Sequence, residues 1–181
     1  GAAPIKNVEV RILKESSTLL MALETGDVDV IYTLTGLDIE NVKSNPDLAY
    51  HETNGTTIWS IAFNTEKEPF NNAKVRQALA MAINREDILL AAANNAGNTL
   101  SIILPPQTIG NPGEDTIDIL PYDPEGAKAL LAEAGYPDGF DMTITVREDT
   151  TKKMGTVLQD EWKELGINVE MEVLERGALI S

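Results

Sequence analysis

At 181 residues, 43% hydrophobic and 24% charged, the chain has the composition of an ordinary globular protein long enough to bury a core. Its 29 acidic against 14 basic residues give a formal charge of −15, a field that repels nucleic acid and anionic lipid and so argues against both as partners. Without cysteine there are no disulfides, thiolate metal sites or thiol nucleophiles. No apolar run approaches the ~20 residues of a membrane helix, so no direct membrane insertion is expected. Gly1-Ala2-Ala3-Pro4 has neither the length nor the basic flank of a signal peptide.

In chain order, Val8 to Leu13 alternates apolar and polar residues and reads as a half-buried strand. Ser16 or Ser17 is placed to cap a helix whose Leu19, Leu20 and Leu23 face inward, with Gly26 ending it. Val28 to Leu34 is a mostly apolar strand, the pattern of a sheet covered on both faces. Asp38 opens a short helix through Val42 that ends before Pro46. Leu48 to Thr53 and Thr57 to Thr65 flank Asn54-Gly55, which accepts the positive φ of a type I′ turn, so a hairpin is expected. Asn54-Gly55-Thr56 also matches a glycosylation sequon, but the turn accounts for it.

Phe63 to Leu90 is the hub. Glu66 to Pro69 breaks the strand, and Asn71 or Asn72 can cap the next helix through its side-chain oxygen. Val75, Ala78, Leu79, Ala82 and Ile83 then form one apolar stripe at helical spacing. Burying Val75, Leu79 and Ile83 contributes at most roughly 5–9 kcal/mol. Asn84 caps a second helix with Asp87 in its first turn. Residues 96–121 are rich in glycine and proline and read as a long loop packed by Leu100, Ile102, Ile103 and Leu104. Asp123-Pro124 starts a helix with Ala127, Leu130, Leu131 and Ala134 inward and Gly135 closing it. Met142 to Val146 is a strand. Met154, Val157, Leu158, Trp162 and Leu165 make a helix face ending at Gly166, and Ile167 to Leu174 is a final strand. The expected fold is α/β, a mixed β-sheet with helices packed on its faces.

Chemistry is sparse. The single histidine, His51, lies beside the expected hairpin and reads as a surface or sheet residue rather than a base. No G-x-S-x-G elbow and no phosphate loop occurs. One imidazole without a thiol cannot close a site for a borderline metal, and no calcium-loop pattern is present. Glu114, Asp115, Asp118, Glu148 and Asp149 read as solvated loop acids. No catalytic residue, metal site or cofactor is expected, and the chain reads as a non-enzyme.

Several of these stretches also resemble a known family. Phe63-Asn64-Thr65, Pro69-Phe70, Val75-Arg76-Gln77-Ala78-Leu79 and Ala82-Ile83-Asn84-Arg85 are similar to the signature of the peptide/nickel/opine solute-binding proteins of ABC importers. Ala22 to Asp29, Tyr122 to Pro137, and Gln159 through Trp162 to Ile167 agree in order and spacing. Glu24 to Tyr32, with Asn45 to His51 downstream, is most similar to the nickel-binding branch.

The resemblance implies that residues 1–181 are a single α/β lobe excised from a longer protein of type II periplasmic-binding-protein-like fold. That protein would work outside the cytoplasm, in the periplasm or as a surface lipoprotein. It would hold a small solute, a peptide or a nickel complex, between two lobes and deliver it to ABC permease subunits. The alternative is an acidic protein-interaction module docking through the 96–121 loop, with no small-molecule ligand.

The resemblance further implies that Trp59 lies near the ligand cleft, whereas alternation with Ile61 and Phe63 gives it a plain sheet-face role. In dipeptide-binding relatives, an Arg-Pro-Tyr string after the strand matching Met142–Val146 meets the ligand. Here the run is Arg147-Glu148-Asp149-Thr150-Thr151, and only Arg147 keeps a comparable side chain. Arg147 either grips a ligand carboxylate or pairs with Glu148 or Asp149 at the surface.

Overall fold

The computed structural model describes residues 4–32, 34–147 and 150–174, which pack as two compact units, 1–52 and 53–181. In the first unit α1 is Ser16–Glu24 and α2 is Gly36–Ser44. Glu15, with no side-chain cap bond, precedes α1, so neither Ser16 nor Ser17 is its cap. Ser16 instead donates its hydroxyl to Asp38. Asp38 in turn is not the cap of α2 but its third residue. Thr35 accepts from the Asp38 N–H at 3.4 Å while the Asp38 carboxylate accepts from the Thr35 N–H at 3.3 Å, a reciprocal box. The Ser16 and Thr35 hydrogen bonds hold the Asp38 carboxyl below its ordinary range. Gly26 does end α1, at φ 77°.

Among the described residues, the two strands expected in this unit do not form. Residues 8–13 make no ladder, and Val8, Val10 and Ile12 stand in solvent. Val30 and Tyr32 are likewise exposed, and Thr33 lies outside the described residues. An alternating pattern marks the face a strand would bury but supplies no neighbour to receive its N–H and C=O groups.

The second unit runs through α3 (Ala73–Met81), α4 (Arg85–Ala93), a short 3-10 turn (Glu114–Thr116) and α5 (Pro124–Glu133), then β1 (Asp141–Arg147), α6 (Thr150–Lys163) and β2 (Asn168–Leu174). The strands β1 and β2 pair in parallel from Asp141↔Asn168 to Arg147↔Leu174, with α6 as the crossover. The architecture is α/β, and the sheet among the described residues has these two strands.

The expected hairpin at Asn54-Gly55 is absent. Neither residue has positive φ, and 48–53 and 57–65 carry no ladder. Gln107 instead reaches in from the long loop, its side-chain amide donating to the carbonyls of Asn54 and Gly55. Asn-Gly tolerates a primed turn but does not compel one when cross-strand contacts are missing.

The hub behaves as its pattern predicts. Asn72 caps α3 through Lys74 N at 3.0 Å, and Asn84 caps α4 through Glu86 N at 3.2 Å. Val75, Ala78, Leu79, Ala82 and Ile83 are all buried, together with Ala127 and Leu131 of α5 and Leu158 and Trp162 of α6. In the 96–121 loop Leu100 and Ile102 are half-buried, but Ile103 and Leu104 point outward, contrary to expectation.

The last turn of α3 leaves carbonyls without intrahelical partners, as every helix end does. Here each finds a donor. The Leu79 carbonyl accepts from Trp162 Nε1 at 3.0 Å, that of Ala80 from Ile83 N at 3.4 Å, and that of Met81 from Asp123 N at 2.8 Å. The connections before β1 and β2 meet at Gly139 and Gly166, at φ 78° and 77°. The Gly166 carbonyl fills the place a Gly139 side chain would take, so only glycine fits there.

Replacing Trp162 by Phe leaves the Leu79 carbonyl buried without a donor and opens a small void. We expect a loss of about 2–3 kcal/mol, read as a lower urea midpoint at unchanged slope.

Candidate functional site

The two residues singled out from the sequence, Trp59 and Arg147, come together. Arg147 is the last residue of β1. Val146 before it is buried, so strand alternation places Arg147 on the opposite face. Its main chain is held by one hydroxyl: Thr151 Oγ1 accepts from Arg147 N at 2.7 Å and donates to Arg147 O at 3.2 Å. Thr151 sits in the first turn of α6, so helix and strand end lock each other.

Trp59 lies in the extended run that leads into the hub, with 46% of its surface exposed. Downstream, Phe63 stacks on Phe70 at 5.6 Å, Phe70 meets Phe140 edge-on at 6.1 Å, and Phe140 meets Tyr136 at 5.3 Å. Arg76 donates to the Phe70 carbonyl at 2.6 Å, pinning this aromatic row to α3. Phe63 therefore packs against the core, while Ile61 and Trp59 face outward.

The Arg147 guanidinium carbon stands 5.3 Å from the centroid of the Trp59 ring, a cation–π contact. The contact sets a guanidinium beside an aromatic ring, and a guanidinium is the side chain that can meet a carboxylate in two places. Glu148 and Asp149, its partners in the other sequence reading, lie outside the described residues. The sequence marked both members of the contact. Thr151 and Gln107, which hold the two segments, it did not mark; a hydroxyl four residues after a strand's last residue was the available signal for Thr151.

Other candidates are weaker. A depression of about 490 Å³ beside α6 and β2, lined by Gln159, Asp160, Lys163, Asn168 and Val169 among others, includes neither Trp59 nor Arg147. His51 is exposed, as are Glu114, Asp115 and Asp118, and Glu114 accepts from Ser101 N at 2.6 Å. Among the described residues no cluster of three or more metal-ligating side chains occurs, and no helix is long and apolar enough to cross a membrane.

Glu161 on α6 is the one described carboxyl pushed strongly upward, to about 7. Burial is the main cause and nearby Asp87 adds to it, against the Asn84 N–H, which Glu161 Oε1 accepts at 3.0 Å. Its other oxygen is buried without a partner. A shifted acid can mark catalysis. Here Glu161 bonds the α4 cap beside Asp87, so it acts as a strut between α6 and α4.

Two outcomes are expected. Because the folded carboxyl holds its proton more tightly than the unfolded one, its contribution to stability is complete below pH ~4.3 and is lost as pH rises through about 7. Glu161→Gln should therefore be more stable than the parent at pH 8 by about 1 kcal/mol after solvent screening, with the difference vanishing toward pH ~4. Separately, Arg147→Ala should raise acrylamide quenching of the exposed Trp59, leave buried Trp162 shielded, and cost less than about 1 kcal/mol in stability.

Comparison with known proteins decides the family. The profile of bacterial extracellular solute-binding proteins, family 5 Middle, matches residues 1–179. The chain belongs to this family. Among family-5 relatives, heme-binding protein A of Haemophilus influenzae is 36% identical over 173 residues, covering 92% of this chain and 31% of the relative. The periplasmic binding protein DppA of Helicobacter pylori, solved in complex with the peptide STSA, is 30% identical with a TM-score of 0.77 over 94% of this chain and 33% of that one. NikA of Brucella suis, solved with Fe(III)-EDTA, has a TM-score of 0.73 at 19% identity over 94% of this chain and 37% of that one, a likeness of fold alone. The chain thus has the type II periplasmic-binding-protein fold class, and spans about a third of the length of the curated relatives it matches.

Proposed function

We propose that residues 1–181 form one lobe of the substrate-binding component of an ABC importer. The lobe captures a small solute against a second lobe and hands it to membrane permease subunits outside the cytoplasm, without chemistry of its own. The observation that carries this is the Arg147 guanidinium over the Trp59 ring, in a chain whose family consists of solute-binding proteins. The pair sets a half-exposed aromatic ring beside a guanidinium, a combination suited to a small solute bearing a carboxylate. Peptides fit that description directly, and so does heme through its propionates. A nickel complex fits where its chelator supplies the carboxylate.

Exposed Ile103, Leu104, Ile109, Ile117 and Ile119 on the 96–121 loop favour the second reading, a protein-docking surface. The first reading accommodates them too, as surface facing the remaining two thirds of a family-5 protein.

Thermal shift with the dipeptide Ala-Ala, hemin and nickel chloride separates the two. We expect one of these to raise the melting temperature of the full-length protein, by about 2.7 kcal/mol of added stability at a hundredfold excess over Kd, and Arg147→Ala to reduce the effect. The 181-residue chain alone should bind none of them tightly. Micromolar affinity of the isolated chain by calorimetry, or no solute response of the full-length protein to a wider panel of peptides and metal complexes, would remove the proposal.

A further inference from the structure

Asn54-Gly55 is the motif that the functional reading leaves unused, and the fold gives it a different meaning. It is the one asparagine–glycine step in the chain. In a laddered hairpin both residues would be fixed at positive φ. Here neither is, both are exposed, and no described backbone acceptor engages the Gly55 N–H. The nearest atom to a side chain built on Gly55 would be Thr57 N at 4.0 Å, so the peptide stands in open space. Some other asparagines are engaged: the side-chain oxygens of Asn64, Asn72 and Asn84 accept from Glu66, Lys74 and Glu86 N–H groups.

We propose that Asn54 is a site of spontaneous deamidation, with water as the co-reactant. The Gly55 amide nitrogen gives its proton to solvent base and attacks Asn54 Cγ. An N–Cγ bond forms and closes a succinimide ring, the Cγ–Nδ2 bond breaks, and the leaving nitrogen takes up a proton to depart as ammonia. Glycine permits this approach because it has no Cβ to obstruct the ring. Water then adds across one of the two imide bonds. Opening the Cγ–N bond gives aspartate, while opening the main-chain bond gives isoaspartate, whose backbone runs through the former side chain. The net change is amide plus water to carboxylate plus ammonium, with no redox partner.

The position matters because Gln107 ties the long loop to the Asn54 and Gly55 carbonyls. In isoaspartate the Asn54 carbonyl becomes a free carboxylate and a methylene lengthens the chain. Both ties are displaced on the segment that leads to Trp59, so deamidation releases the 96–121 loop.

Incubation of the chain in mildly alkaline buffer at body temperature, followed by peptide mapping with mass spectrometry, tests this. Asn54 should lose its amide before any other asparagine and yield mainly isoaspartate, and Gly55→Ala should slow it to the pace of exposed Asn98. Limited proteolysis within 101–112 should then rise in the aged protein as it does in fresh Gln107→Ala. Conversion of Asn54 no faster than that of Asn98 overturns the site. Full conversion with unchanged cleavage in the loop overturns its coupling to Gln107.

Discussion

Trp162 has no exposed surface, and its indole N–H closes the Leu79 carbonyl at the end of α3. This one contact joins the crossover helix of the parallel pair to the hub helix eighty-three positions earlier in the chain. It combines the largest apolar burial available to a side chain with satisfaction of a helix-end acceptor that would otherwise be stranded. The remaining carbonyls of the same turn recruit Ile83 and Asp123, so the start of α5 is fixed by the end of α3. Glu161, the neighbour of Trp162, reaches the Asn84 N–H at the first residue of the following cap. Four helices, α3, α4, α5 and α6, thus meet around the end of α3.

That turn also sets where Trp59 and Arg147 meet. With α6 held by Trp162 and Glu161, its first turn is set relative to β1, and Thr151 fixes both backbone groups of Arg147. The row Phe63, Phe70, Phe140 and Tyr136 is anchored to the same core and delivers Trp59 from the other direction. Arg147 and Trp59, far apart in sequence, meet because two independently braced segments end at one place. The cation–π contact sets a basic side chain on an aromatic ring within a strongly acidic chain. Long-range repulsion of anions is screened within roughly ten ångströms at moderate salt, so the local contact governs at close range.

The first fifty residues follow a different logic. Their helices are closed by local devices, the Thr35–Asp38 box and the Gly26 ending, which need few distant partners. Their extended segments bury little: Val42 is the one fully buried hydrophobic residue described there. The chain spans about a third of the length of its relatives, and the alternating Val8, Val10 and Ile12 stand exposed without a paired strand among the described residues.

Sequence by itself determined the helices, because a helix closes its hydrogen bonds within one segment and declares its buried face at a period of 3.6 residues. The α3 stripe, the caps at Asn72, Asn84 and Asp123, and the βαβ order of the last third were legible for that reason. It also marked Trp59 and Arg147, through resemblance rather than chemistry. Only the tertiary structure decided which strands pair, that Asn54-Gly55 is no turn, that Asp38 serves as third residue rather than cap, and that Trp59 lies under Arg147. Those outcomes depend on groups distant in the chain arriving at one point, and no local pattern encodes the partner.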